Sequence, residues 1–85
     1  MDYVDGEIDL HSYSPGQVRL NLLPFLDRGY AENWERVRII HGQGEGIIRG
    51  RVQEILGEIE YISEFRNARR DEGGAGATIA IYRRH

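Results

Sequence analysis

Among the histidines and carboxylates of this sequence, three are spaced so that they could move protons together in an enzyme. Asp9 and His11 are separated by one residue, and His41 follows in a later segment. In an extended strand, alternate residues share a face, so Asp9 is placed to orient the imidazole of His11. Two imidazoles at converging strand ends would form an acid–base couple for phosphodiester cleavage. The alternative for each histidine is an ordinary hydrogen-bonded residue at the end of a strand.

A glycine-rich segment directly follows His41. It reads Gly42-Gln43-Gly44-Glu45-Gly46, here called the glycine loop, and Arg49 comes about one helical turn later. Glycines permit positive φ angles and outward-pointing N–H groups, and a helix starting there adds partial positive charge. We predict that the three glycines bind a phosphate and that Arg49 closes over it. A purely structural turn, with Arg49 on a solvated helix face, is the alternative.

The residue inventory argues against several other chemistries. The chain has no cysteine, which excludes disulfides, thiolate nucleophiles and cysteine-ligated zinc. The glycine loop lacks both the Lys-Ser/Thr ending of a Walker loop and the spacing of a dinucleotide fingerprint. An alternative set of ligands for a divalent ion is Asp9, His11, His41 and Glu45, but these lack the spacing of a compact metal site. We therefore expect chemistry without a metal or another cofactor.

The composition is typical of a small globular domain. Of 85 residues, 40% are hydrophobic and 29% charged, so we expect a single domain over 1–85 with its core in 7–82. No apolar run could span a bilayer and no signal-peptide core follows Met1, so we expect no membrane partner and a cytoplasmic protein. The net charge of −3 argues against tight non-specific binding to nucleic acid. All 11 basic residues are arginine, which suits phosphate recognition, although a GC-rich genome gives the same bias.

Hydrophobic patterns predict six elements in the order βαβαββ. Strands are predicted over 7–11, 36–41, 61–65 and 77–82, helices from residue 14 and over about 46–57, and a polar loop over 66–76. The first helix begins with an N-cap serine and a proline, Ser14-Pro15. Its apolar stripe is Val18, Leu22, Leu23, Leu26 and Tyr30. Pro24 is expected to kink or split this helix.

This element order predicts a two-layer α/β sandwich with a four-stranded mixed sheet and two helices. The two strand–helix–strand passages favour right-handed crossovers and parallel pairing. In open α/β sheets, ligands gather outside the carboxyl ends of the parallel strands. His11 and His41 end the first two predicted strands, so we expect both imidazoles and the glycine loop on one solvent-accessible edge of the sheet.

Three segments together resemble the small MutS-related (Smr) domain. They are Ile8-Asp9-Leu10-His11, Val37-Arg38-Ile39-Ile40-His41-Gly42-Gln43-Gly44-Glu45-Gly46 and Glu72-Gly73-Gly74-Ala75-Gly76-Ala77-Thr78. The resemblance implies a βαβαββ sandwich and a nuclease that nicks DNA or cleaves mRNA, the latter notably at collided ribosomes. The family occurs at the C-terminus of the second bacterial MutS paralogue, so DNA or RNA, a ribosome and a larger surrounding protein are the implied partners.

The resemblance also implies which residues form the site. The family's Asp-x-His motif falls on Asp9 and His11, and its His-Gly-x-Gly motif falls on His41, Gly42 and Gly44. Further substrate contacts are expected from Arg38, Gln43, Glu45, Gly73, Gly74 and Thr78. Three residues depart from the usual family pattern: Ser12 replaces a glycine, Gln43 a common lysine and Glu45 a frequent threonine.

Two functions of different classes are consistent with these residues. The first is a nucleic-acid endonuclease in which His11 and His41 act as base and acid in either order and Asp9 orients its neighbour. The glycine loop and Arg49 would then hold the phosphate. The second is a non-catalytic module that docks on nucleic acid or a ribosome. The intact Asp9, His11 and His41 favour the endonuclease, whereas the negative net charge and Gln43 favour docking.

Overall fold

Six regular elements follow one another in the predicted order, as seen in the computed structural model, which describes residues 3–83. The strands are β1 (Gly6–Asp9), β2 (Arg36–Ile40), β3 (Ile62–Asn67) and β4 (Ala77–Tyr82), and the helices are α1 (Pro15–Ala31) and α2 (Ile47–Glu58). The predicted polar loop before β4 contains two single turns of 3₁₀ helix, Arg70–Glu72 and Gly74–Gly76. The terminal charges of Asp2, Arg84 and His85 lie outside the described residues.

The four strands form one mixed sheet in the order β1-β2-β4-β3. As predicted, β1 pairs with β2 in parallel. In this pairing Asp9 lies opposite Ile40. The second expected parallel pairing is wrong, because β4 lies between β2 and β3 and is antiparallel to both. Residues of β4 are almost all apolar and buried on both faces, which suits a central position in the sheet.

Helix α1 begins where the sequence predicts. Pro15 occupies its first position, and the side chain of Gln17 accepts a hydrogen bond of 3.0 Å from the backbone N–H of Ser14. The helix continues through Pro24 to Ala31, so the proline does not split it. The predicted burial of Tyr30 is wrong, because Gly29 instead lies on the buried side and Tyr30 is exposed. Tyr30 stacks on Tyr61 at a ring separation of 4.6 Å.

Both helices cover the same face of the sheet, which gives the predicted two-layer α/β sandwich. The helices contact each other, and the core between them and the sheet comprises Leu10, Val18, Leu22, Leu26, Val37, Ile39, Val52, Ile55, Leu56, Ile62, Ala80 and Tyr82. None of the helices within residues 3–83 is both long and apolar enough to cross a membrane. The parallel pairing of β1 with β2 brings two strand ends, and the segments that follow them, to one edge of this sandwich.

Candidate functional site

The segments that follow β1 and β2 share one cavity at the carboxyl edge of the sheet. The backbone N–H of Leu10 donates a 2.7 Å hydrogen bond to the carbonyl of Ile40, so the two strands remain side by side to their ends. The cavity has a volume of about 440 Å³ and is lined by His11, Tyr13, Pro15, His41 and residues 42–49. We call it the rim cavity. The predicted convergence of His11, His41 and the glycine loop is therefore found.

Asp9 and His11 form an exposed hydrogen-bonded pair. The Nδ1 atom of His11 lies 2.6 Å from Asp9 Oδ1, and the same oxygen accepts a 3.0 Å bond from the backbone N–H of His11. The hydrogen bond from the His11 backbone is the largest cause, and the one to the His11 ring the next, that holds the pKa of Asp9 below its usual value. An ionised carboxylate only accepts hydrogen bonds, so Nδ1 carries the proton and Nε2 is left as an acceptor. The His11 side chain is 61% exposed, so this Nε2 is on a solvent-accessible ring.

His41 differs from His11 although both line the rim cavity. It is only 4% exposed, which corrects the expectation of a solvent-accessible imidazole. Its Nδ1 lies 3.0 Å from the Gly42 carbonyl, which can only accept, and its Nε2 lies 2.9 Å from Thr78 Oγ1. Burial is the main cause that lowers the pKa of His41, and the nearby positive charge of Arg49 lowers it further. His41 is thus a neutral imidazole with both nitrogens bonded inside the protein.

A chain of side-chain hydrogen bonds fixes the tautomer of His41. Gln53 on α2 donates from Nε2 to Thr78 Oγ1 at 3.1 Å and to Asn67 Oδ1 at 3.0 Å. Because Thr78 accepts from Gln53, its hydroxyl hydrogen is available to His41 Nε2. Thr78 is fully buried, so it supports His41 and is not the surface substrate contact that the sequence predicts.

The glycine loop leaves α2 with an open N-terminal end. Gly42 and Gly46 have φ angles of 81° and 85°, and Gly46 caps the helix. The N–H of Gly42 donates to the carbonyl of Gly76 at 3.0 Å, so it is not free for a ligand. Within residues 3–83, the backbone N–H groups of 43–46 have no hydrogen-bond acceptor. The φ angle of Gly44 is not positive, and a Cβ atom at this position would have no neighbour within 4 Å. This position therefore does not require glycine.

Arg49 provides the positive charge at the rim cavity. Its side chain is exposed, and Nη2 lies 3.5 Å from the point that a Cβ on Gly46 would occupy. Among the described residues, no carboxylate is within salt-bridge distance of Arg49. Gln43 and Glu45 are exposed and also line the cavity. A guanidinium and a set of unpaired N–H groups therefore face one opening, an arrangement that suits an oxyanion.

Comparisons with known proteins agree with this geometry. The family model for the Smr domain matches residues 8–83. This chain belongs to the Smr domain family. The endonuclease MutS2 of Staphylococcus aureus is 38% identical over 77 residues, which are 91% of this chain and 11% of that protein. The Smr domain thus spans about a tenth of the length of the curated relatives it matches.

Solved structures share the fold of this Smr domain. The crystal structure of the Smr domain of Thermus thermophilus MutS2 superposes with a TM-score of 0.87 at 28% identity, covering 93% of this chain and 99% of that one. YdaL, a stand-alone small MutS-related protein from Escherichia coli, superposes with a TM-score of 0.86 at 25% identity. That match covers 92% of this chain and 64% of YdaL. The predicted family and fold are confirmed.

The loop before β4 packs against the glycine loop of the Smr domain and is itself held by several contacts. Arg38 donates from Nε to the Glu72 carbonyl at 2.7 Å and from Nη1 to Glu7, and little of its side chain is exposed. Gly73, with a φ of 117°, packs closely against Arg38. The N–H of Gly74 donates to the Arg69 carbonyl at 2.8 Å. These contacts give Arg38, Gly73 and Gly74 a role in loop structure, and their predicted substrate contacts stay predictions.

Glu72 stabilises the loop before β4, a role that its position in the sequence does not reveal. Its carboxylate accepts two bonds from the guanidinium of Arg66, at 2.6 and 2.9 Å, and one from the N–H of Arg69 at 2.9 Å. The Arg66 bonds, then the Arg69 bond, lower the pKa of Glu72 to about 2. The bonds between Glu72, Arg66 and Arg69 thus form a clamp on the loop before β4. In that loop, the carbonyl of Gly76 accepts hydrogen bonds from the backbone N–H groups of His41 and Gly42. The consecutive charges of this segment suggest only a solvated loop in the sequence.

The alternative metal-ligand set is not assembled in this Smr domain. Among residues 3–83, no group of three or more His, Asp or Glu side chains lies close enough to hold a metal ion. Asp9 and His11 pair with each other, whereas both nitrogens of His41 are bonded to Gly42 and Thr78.

Proposed function

We propose that this Smr domain is a nucleic-acid endonuclease module that cleaves phosphodiester bonds by acid–base chemistry. The observation that carries the proposal is the exposed Asp9–His11 pair, in which His11 lines the same cavity as Arg49 and the glycine loop. A proton-transfer group and an oxyanion site in one opening are the two requirements for such cleavage. The name of the MutS2 relative, an endonuclease at 38% identity, supports the same assignment.

His11 acts as the general base in this proposal. Asp9 holds the proton on Nδ1, which leaves Nε2 to accept a proton from the nucleophile. On RNA the nucleophile is the 2′-hydroxyl: its oxygen bonds to phosphorus, His11 takes its proton, and the 5′-oxygen leaves and takes a proton from water. The products are a 2′,3′-cyclic phosphate and a 5′-hydroxyl end. On DNA, water takes the place of the 2′-hydroxyl.

The glycine loop and Arg49 stabilise the charge that builds up on the phosphate. The unpaired N–H groups of 43–46 donate to the non-bridging oxygens, and the guanidinium of Arg49 neutralises part of their charge. His41 serves as a positioning residue in place of the second proton-transfer group that the sequence suggests. Its ring binds the Gly42 carbonyl and its backbone binds Gly76, which fixes the start of the loop.

The test is cleavage of labelled RNA and supercoiled DNA by the wild-type chain and by His11→Ala. We expect the variant to lose about 10²–10⁴-fold in rate, the usual contribution of one positioned acid or base. Binding should change little, and RNA cleavage should persist in EDTA and leave a cyclic phosphate. The matched control is Ser12→Ala, an exposed neighbour that should keep the wild-type rate.

Two outcomes would contradict this mechanism. Equal rates for His11→Ala and the wild type would remove His11 from the reaction. Complete inhibition by EDTA, reversed by a divalent ion, would replace the proposed chemistry with a metal-assisted one.

A second candidate function is a docking module without catalysis. It is favoured by the engagement of both His41 nitrogens inside the protein, which leaves His11 as the one accessible imidazole among residues 3–83, and by the net charge of −3. The docking function would be supported if neither substrate is cut above background while Arg49→Ala weakens binding to nucleic acid or ribosomes.

The partners follow from the family context. We propose that the domain works as part of a larger protein, as in its MutS2 relatives, and takes DNA or RNA as its substrate. Ribosome association and a cytoplasmic location stay predictions. Co-sedimentation of the domain with purified ribosomes, with Arg49→Ala as the comparison, tests the first of these.

A further inference from the structure

The rim cavity has an apolar side that the phosphate chemistry does not use. Tyr13 and Ile47 line it and are 37% and 58% exposed, and Pro15, which is also exposed, lines it with them. None of these three residues belongs to the hydrophobic core. Large apolar side chains that the core does not bury, gathered in one opening, are typical of a recognition surface.

The apolar side and the charged side belong to the same cavity. Arg49 and the unpaired N–H groups of the glycine loop line it together with Tyr13 and Ile47. The volume of about 440 Å³ is within the range of small-molecule sites and is large enough for one nucleotide. A ligand that fits both sides carries an anionic group next to a flat, largely apolar one. A nucleotide unit of a nucleic acid has this chemistry.

We propose that Tyr13, Pro15 and Ile47 form a base subsite that takes one unpaired nucleobase, so that the preferred substrate is single-stranded or locally opened nucleic acid. The inference rests on the proposed function for the position of the phosphate at the glycine loop. A base within a duplex is covered by its neighbours on both faces and cannot enter such a cavity unless it leaves the stack.

The charge of the molecule agrees with this assignment. Proteins that hold duplexes through the backbone depend on many Lys and Arg contacts to phosphates, whereas this chain has a net charge of −3. With a weak long-range attraction for phosphates, affinity must come from local contacts. Stacking of a base on an aromatic or apolar surface supplies such a contact and tolerates all four bases.

The experiment compares three fluorescent ligands by anisotropy: a thymidine pentanucleotide, an abasic backbone of the same length, and a duplex of the same backbone length. We expect the intact chain to bind the thymidine strand about 5- to 150-fold more tightly than the abasic backbone, the range for one stacked base. The duplex should bind no better than the abasic backbone. All ligands are DNA, so the 2′-hydroxyl route of cleavage does not interfere.

Paired variants locate the contact. Tyr13→Ala should lower the affinity for the thymidine strand to that for the abasic backbone, and Ile47→Ser should lower it in part. The matched controls are Tyr3→Ala and Leu20→Ser, which remove exposed apolar side chains of the same types outside the rim cavity. Ile47 is more exposed than Tyr13, so Ile47→Ser keeps the test valid if Tyr13→Ala fails to fold.

Equal binding of the thymidine strand and the abasic backbone would overturn the base subsite, as would unchanged affinity in both Tyr13→Ala and Ile47→Ser. Cleavage of RNA by the same preparation would then leave the proposed endonuclease function standing. Failure to bind any of the three ligands, together with no cleavage, would overturn both.

Discussion

His11 and His41 show how far two residues of one type, at one edge of a sheet, can differ. His11 is exposed and its ring is oriented by a carboxylate, whereas His41 is buried and bonded at both nitrogens. The first arrangement leaves a lone pair for proton transfer, and the second leaves none. The two histidines that the sequence predicts as proton-transfer groups are therefore one accessible imidazole and one buried imidazole that is bonded inside the protein.

The burial of His41 predicts a pH dependence of stability. Its pKa in the folded protein is lowered from 6.5, so the unfolded chain binds the proton more tightly. The stability from neutral His41 should be complete above pH 6.5 and should decrease as the pH falls below that value. Urea unfolding between about pH 8 and 5 measures this slope. His41→Gln should lower stability overall but flatten the slope in this interval, and an unchanged slope would contradict the prediction.

At the scale of elements, the site depends on two loops that fit against each other. The glycine loop joins β2 to α2, and the loop before β4 supplies the Gly76 carbonyl that accepts from it. A Cβ on Gly76 would come within 3.4 Å of the Gln43 side chain and 3.5 Å of the Gly42 backbone. The Glu72–Arg66 clamp keeps this supporting loop in place. The proposed phosphate site is thus built by a tertiary contact between two segments that each resemble ordinary turns in the sequence.

The backbone of the glycine loop predicts which glycines are required. Gly42 has a φ of 81°, and a Cβ there would approach His11 Cβ to 3.3 Å. Gly42→Ala should therefore lower the free energy of unfolding by about 1–2 kcal/mol, the usual penalty for a side chain in the left-handed region. Gly44→Ala is the matched control and should change stability by less than about 0.5 kcal/mol. Equal losses in the two variants, measured by urea unfolding, would contradict this account.

At the scale of the whole molecule, the charge distribution limits how the domain holds nucleic acid. Two carboxylates near the site pair with arginines: Glu7 with Arg38 and Glu72 with Arg66. Arg49 is left as a cation at the rim cavity with no carboxylate partner among residues 3–83. Binding of nucleic acid should therefore depend on the charge of Arg49 more than on the electrostatic field of the whole molecule.

The salt dependence of binding tests the role of Arg49. Replacing one phosphate contact should reduce the slope of log affinity against log salt by about 0.7 for a single strand. We expect this change in Arg49→Gln, together with weaker binding. Arg19→Gln is the matched control, because Arg19 pairs with Glu58 away from the cavity and should leave the slope unchanged. The same slope in all three proteins, by anisotropy titration, would exclude a phosphate contact of Arg49.

The sequence by itself determined the order of the elements, the parallel β1–β2 pair and the edge where the site lies. These follow from local signals: alternation along a strand, the Ser14-Pro15 helix start and a glycine-rich turn directly after β2. The Asp9–His11 pair was also predictable, because alternate residues of an extended segment share a face. In the structure β1 ends at Asp9, and His11 lies in the turn that follows, within hydrogen-bond distance of Asp9. The catalytic roles of these residues stay predictions.

Only the tertiary structure decided which of the candidate site residues are exposed and which are buried. The burial of His41 and its bond to Thr78 depend on β4 lying beside β2, and the contribution of Gln53 depends on the packing of α2. The tertiary structure likewise places β4 between β2 and β3, so the expected pairing of β2 with β3 does not form. Exposure and hydrogen-bond partners are set by segments far apart in the chain, so residue type and spacing within one motif do not determine them.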